Sequence, residues 1–270
     1  MPVRKTDPPR GVLRTPVSRS QRFSHARYLP SPDLAGFIEH YWSVSWDLRD
    51  DEPSRVETLP HPTVHLIFET GKGGRIGGVS RGKFSTLLAG TGRIFAAKFR
   101  PGGFYPFVQR PVAGYSGRIL TIPEVWGSEA AWIEDAMMKA ADEDQRMTLM
   151  ERFLRQRNPV ADPTAAATGA MAESIASDRS LSSAEELGRR HGLTLRTLQR
   201  RFARYIGVNP KWVIQRYRLH EAAEQLVLQP ASQAALALQL GYADQAHFVK
   251  DFKAMVGLSP AAYARQAGGQ

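Results

Sequence analysis

The chain has 270 residues, 42% of them hydrophobic and 9% aromatic, with a formal charge of +10 and no cysteine. That length predicts about two domains with ordinary cores. The missing cysteine excludes a disulfide framework, a thiolate metal site and a cysteine nucleophile, and the charge favours polyanions such as nucleic acid or an anionic membrane surface.

The first 22 residues are basic and rich in proline, and are expected as a mobile tail. They hold no apolar stretch of signal-peptide length, and no run in the chain approaches the ~18 apolar residues of a membrane span, so the expected compartment is the cytoplasm, with no membrane partner. PDLAGFIEH (32–40) reads as a short helix, followed by strand-like runs YWSVSWDL (41–48), TVHLIF (63–68), STLLAG (85–90) and RIFAAKF (93–99). GKGGRIGG (71–78) and RPGGFYP (100–106) read as turns between them. Short strands so spaced predict a small barrel or sandwich.

After Pro123 the periodicity becomes helical, in EVWGSEAAWIEDAMMKA (124–140) and EDQRMTLMERFLRQR (143–157). In the second of these Met147, Met150, Phe153 and Leu154 form one apolar stripe. The segment NPVADPTAAATG has little apolar bulk and marks a linker. The expected organisation is a tail at 1–22, a sensor or dimerisation domain at 23–157, a linker at 158–166 and a helical domain at 167–267.

The helical part contains one pattern twice. Leu198, Phe202, Gly207 and Pro210 recur 50 residues later as Phe248, Phe252, Gly257 and Pro260. Each set is an apolar i, i+4 pair, a helix-ending glycine and a proline that opens the next helix. A short helix precedes each, the first with Ser183 and Glu186 at capping-box spacing. Two such units are two helix-turn-helix modules, which points to DNA. Overall charge is split evenly between the halves, but from Leu187 to His220 nine basic residues (Arg189, Arg190, Arg196, Arg200, Arg201, Arg204, Lys211, Arg216, Arg218) occur with no acid. A solvated face usually mixes both signs, so this stretch is not expected to be idle surface.

LALQLGYADQAHFVKDFKAMVGLSPAAYAR (236–265) resembles the second-unit signature of the AraC/XylS family of bacterial transcription regulators, and the likeness extends over residues 165–265. Leu236 stands where that family usually has Ile, and Ala264 adds a residue before Arg265. LPHPTVHLIFETG, GRIFAAKFRPGGFYPF and WGSEA resemble an uncharacterised sensor-like domain found ahead of such units, a place where family members commonly carry a cupin-like effector or dimerisation domain. The resemblance implies an α+β multidomain fold, with an N-terminal β-rich cupin-like barrel plus helices and a C-terminal all-α double helix-turn-helix domain. It implies no enzymatic activity and no cofactor or metal. Double-stranded DNA is the expected partner, with room for RNA polymerase, an unidentified small-molecule effector and a homodimer mate. The family's groove-facing positions map onto Arg196, Thr197, Gln199, Arg200 and Arg204 in the first unit and Gln245, Ala246, His247 and Lys250 in the second. Lys250 stands where the family often has Arg, which predicts a less directional contact.

In the N-terminal domain Trp42, Trp46, Lys98 and Arg100 are the candidate effector-binding residues. The enzyme alternative is a cupin-like metalloenzyme fused to a DNA-binding domain, drawing on His61 and His65 with His40 and Glu69. On a strand, however, the first two would stand about 13 Å apart, too far for one metal. GKGGRIGG lacks the lysine of a phosphate loop, and no serine lies in a G-x-S-x-G elbow.

Overall fold

The computed structural model describes residues 12–14, 23–80, 82–178, 180–228 and 233–268. The N-terminal half is built on antiparallel strands. β1 (Val12–Arg14), β4 (Ser54–Thr58) and β7 (Phe84–Leu88) form one sheet in the order β1-β4-β7. β2 (Phe23–Tyr28), β3 (Ile38–Leu48), β8 (Gly90–Phe99), β5 (His65–Glu69), β6 (Gly73–Gly77) and β9 (Ile119–Thr121) form a second, in that order.

Alternation along β3 and β8 gives the large sheet two apolar faces. Trp46, Leu48, Ile94 and Ala96 pack with Leu88 and Val56 of the small sheet. Tyr41, Phe95, Ala97 and Phe99 turn the other way, into a core completed by helices. Those helices are α1 (Tyr105–Val108), α2 (Ile122–Trp126), α3 (Trp132–Lys139) and α4 (Glu143–Gln156). The stripe on α4 is buried at Met150, Phe153 and Leu154, with Met147 packed at its edge.

Several expectations change. Residues 32–37 make turns rather than a helix, with Ile38 N donating to Leu34 O, and Ile38 already begins β3. The long helix expected at 124–140 is two, because Gly127 takes φ +87 between them. The glycine-rich stretch 71–78 contains a strand, β6, rather than only a turn. Its glycines serve close packing: a Cβ on Gly74 would lie 2.8 Å from the Phe68 ring and 2.5 Å from Ile122. Of the expected tail, Val12–Arg14 is a strand paired with β4, and the remainder lies outside the described residues.

The linker expectation also changes. Asp162 caps α5 (Pro163–Ser177), accepting from Thr164 N and Ala165 N, so the segment's second half is the first turn of a helix. Ala165 and Gly169 are buried against the loop after β8, where a Cβ on Gly169 would stand 2.1 Å from Pro101 O.

The C-terminal half is α6 (Ala184–Arg190), α7 (Leu195–Tyr205), α8 (Pro210–Leu228), α9 (Gln233–Gln239), α10 (Gln245–Val256) and α11 (Pro260–Gly268). α8 is a single helix of 19 residues joining the two units, opened by Asn209 Oδ1, which accepts from Trp212 N. The end expected for it at Pro230 lies outside the described residues. Leu198, Phe202, Ile206 and Val213 belong to the same apolar core as Phe95 and Phe153. Phe248 and Phe252 form a separate core with Leu226, Leu236 and one residue of the first half, Leu59.

Candidate nucleic-acid interface

In each unit a short helix is closed by a glycine in the left-handed region, Gly192 (φ +63) and Gly241 (φ +75), where a side chain would be strained. The following amide returns to the helix in both: Leu193 N donates to Gly188 O at 2.8 Å and Tyr242 N to Ala237 O at 3.0 Å. The next helix is then capped by a side chain. Thr194 accepts from Thr197 N at 3.2 Å, and Asp244 accepts from His247 N at 2.8 Å. The turn residues correspond at a separation of 49, whereas caps and cores correspond at 50, because Ala243 adds one residue to the second turn.

On α7 the buried side is Leu198, Phe202 and Tyr205. Arg196, Gln199 and Arg200, at i, i+3 and i+4, are exposed on the opposite side. No hydrogen bond or ion pair to another described residue engages them. Thr197 is half-buried on the flank, where its hydroxyl accepts from Thr194 Oγ1 at 3.0 Å. Arg204 sits on the same flank and is turned to the N-terminal half: its guanidinium donates to Tyr105 Oη at 2.6 Å and lies over the Tyr105 and Tyr205 rings.

On α10, Phe248, Phe252, Met255 and Val256 are buried. Ala246 and Lys250 are exposed on the opposite side, together with Lys253, which extends the same face by three residues. Lys253 is absent from the positions the resemblance supplies; its i+3 spacing from Lys250 was the signal available. His247 is exposed, but its Nδ1 lies 3.1 Å from Asp244 Oδ2, so the capping carboxylate also holds the ring. Gln245 is exposed at the first position of the helix. Asp251 is half-buried against Tyr242, whose phenol is pushed up by burial first and then by this neighbouring charge.

The nine-cation stretch divides by partner. Arg190 pairs with Asp178 and Glu186. Arg216 is 3% exposed and its Nε donates to Pro60 O at 2.6 Å; burial pushes its guanidinium down to about 9. Arg218 is buried and donates to Leu181 O. With Arg204 held by Tyr105, four of the nine serve internal contacts. The one-sign run therefore overstates the surface open to phosphates, since helical periodicity turns part of it inward.

The N-terminal candidates are spread out. Lys98 is buried and pairs with Glu39 at 2.9 Å. Burial alone would raise the Glu39 carboxyl, but the His40 hydrogen bond and the Lys98 charge hold it well below its ordinary range. Arg100 donates to Ala35 O at 2.8 Å and pairs with Glu173 at 3.0 Å. Trp42 Nε1 donates to His65 Nδ1 at 3.3 Å, and burial, then the Lys98 charge, pushes that imidazole down to about 3. Trp46 lines a cavity of about 450 Å³.

The histidines and Glu69 of the metalloenzyme alternative do not converge. Glu69 pairs with Lys72 and Arg75, and His61 stacks on His220 with ring centres 4.8 Å apart. Among the described residues no group of three or more His, Asp or Glu side chains could hold a metal, and no helix is long and apolar enough to cross a membrane.

Fold and interface together define a two-unit helix-turn-helix domain behind a β-rich domain. Residues 187–266 match a family model described as a helix-turn-helix domain, and residues 26–121 match a domain of unknown function (DUF6597). An uncharacterised HTH-type transcriptional regulator of Haemophilus influenzae is 40% identical over 62 residues, which is 23% of this chain and 21% of that protein. The HTH-type transcriptional regulator MtrA of Neisseria gonorrhoeae is 37% identical over 73 residues, 27% of this chain and 24% of that protein. The chain thus spans about a fifth to a quarter of the length of these relatives. Among solved structures, the C-terminal domain of AraT, a response regulator from Geobacillus stearothermophilus, aligns at 23% identity over 39% of this chain and 86% of that chain, with a TM-score of 0.35. ToxT from Vibrio cholerae, solved with an unsaturated fatty acid bound, aligns at 12% identity over 95% of this chain and 99% of that chain, with a TM-score of 0.38. The chain thus carries a C-terminal segment that matches a helix-turn-helix domain family behind an N-terminal segment that matches a domain family of unknown function.

Proposed function

We propose that this protein is a sequence-specific DNA-binding regulator of transcription that reads two successive major-groove segments and is modulated through its N-terminal domain. The observation that carries the reading is the α7 face of Arg196, Gln199 and Arg200, exposed, without partners and opposite a buried Leu198–Phe202 ridge. Arginine suits the O6 and N7 of guanine and glutamine suits adenine, at about 1–3 kcal/mol of discrimination for each bidentate pair. On α10 the corresponding face offers Lys250 and Lys253 around the small Ala246. Lysine meets phosphate as a point charge, so the second unit grips more than it discriminates.

Modulation is supported by the contacts between the halves. Tyr105 holds Arg204, Ser116 Oγ donates to Gly207 O at 2.7 Å, and Pro60 O accepts from Arg216 on α8. A change in the N-terminal domain therefore reaches both the recognition helix and the helix that joins the units.

Selection of bound duplexes from a random library at two salt concentrations tests the reading. The expected motif has two half-sites about 10 base pairs apart, one helical turn of DNA. Salt-sensitive binding with no motif would mean that the surface is only a phosphate grip, and a single half-site would remove the second unit from sequence reading.

A further inference from the structure

The cavity beside Trp46 lies on the face of the large sheet covered by α3 and α4. Its floor is Ser24, Ser45, Asp47, Phe68, Arg93 and Phe95, and its roof is Met137, Met138 and Arg146. Its volume of about 450 Å³ falls within the roughly 300–1,000 Å³ of small-molecule sites. The wall mixes apolar Phe68, Phe95, Met137 and Met138 with polar side chains in about equal measure.

Two guanidiniums stand in that wall. Arg146 is 6% exposed and donates to Ala140 O. Arg93 Nε is buried without a hydrogen-bond partner. Two carboxylates are near. Asp47 is engaged on both oxygens by Arg49, outside the cavity, at 2.9 and 2.7 Å. Glu143 has a buried Oε2 with no hydrogen-bond partner; burial raises its carboxyl while the nearby Arg146 and Arg93 lower it. Burial also depresses the Arg146 guanidinium, with Arg93 as the next cause. A buried cation that keeps its charge needs an anion beside it. The chain places a buried guanidinium, Arg146, and a half-buried one, Arg93, on a cavity and leaves the buried Arg93 Nε–H open.

We propose that this cavity binds a small organic carboxylate with an apolar body, its carboxylate between Arg93 and Arg146 and its body against Phe68, Phe95 and Met137. Ser24, Ser45 and Thr91 supply hydroxyls at the wall for a second polar group. No residue of α7 or α10 lines the site, so ligand binding stands without the DNA reading. Only the ligand's role as a modulator rests on that reading.

The test uses the full chain without DNA. Hexanoate, phenylacetate and 2-naphthoate are titrated by calorimetry and by thermal shift, with their three amides as uncharged matches. At least one acid is expected to bind, its amide about tenfold or more weaker, the loss of one charge-assisted hydrogen bond. Arg93→Gln is expected to lose a similar factor, and Arg93→Lys to recover part of it. No binding by any acid up to about 1 mM overturns the proposal. So do acids and amides that bind alike, or acids that bind Arg93→Gln as well as the unaltered protein. The acid–amide comparison needs no variant and decides the matter even where Arg93→Gln fails to fold.

Discussion

Cations one helical turn apart have opposite uses in this protein. Arg200 is exposed on the α7 face with no partner, whereas Arg204, one turn later, is bound to Tyr105. Arg200→Ala is expected to weaken specific DNA binding by about 1–3 kcal/mol and relax one base position. Arg204→Ala is expected to lower the melting temperature while leaving the selected motif unchanged. Binding curves and motif selection on both variants check the contrast, and a motif that shifts with Arg204→Ala would move that residue to the groove. His65 supports a pH prediction. Its folded-state value is pushed down to about 3, from an ordinary value of 6.5. The unfolded chain therefore takes up a proton that the folded chain refuses, and stability falls as pH drops from about 6.5 towards 3. His65→Gln is expected to lose less melting temperature across that window than the unaltered protein, and parallel acid limbs would show that His65 is not the group responsible.

At the scale of elements, packing decided where propensity could not. Residues 71–78 have turn composition, yet β6 runs through them because Phe68 and Ile122 occupy the space over Gly74. Gly74→Ala is expected to destabilise the fold by about 1–3 kcal/mol through overpacking. An unchanged denaturation midpoint would mean that Phe68 and Ile122 have room to shift. The helix-turn-helix units were legible because their signals are local: glycines at the turns, Thr194, Asn209 and Asp244 as caps, and apolar pairs at i, i+4. The short strands β2, β4 and β9 escaped because five or six residues of mixed polarity carry little periodicity, and β9 has only three. They are strands because a neighbour pairs with them.

For the whole molecule, the division of the core matters most. The first helix-turn-helix unit shares one continuous core with the N-terminal sheet, whereas the second has its own. Amides of α7 and of β8 are therefore expected to exchange with solvent in one cooperative opening, and those of α9 and α10 in another of lower free energy. Native-state hydrogen exchange reads this directly; α7 exchanging together with α10 instead would mean that the two units open as a domain apart from the sheet.

The sequence by itself determined the repeated helix-turn-helix pattern, its caps and turns, the buried ridge of each recognition helix and the exposed cations between ridge residues. Those features follow from helical period and local hydrogen bonding, which act within a few residues. Tertiary structure alone decided that the second half of the expected linker opens a packed helix, that Arg204, Arg216 and Arg218 face the protein, and that Arg93 and Arg146 line one cavity. Each of these depends on which surface lies opposite a side chain, and that surface comes from residues tens to more than a hundred positions away.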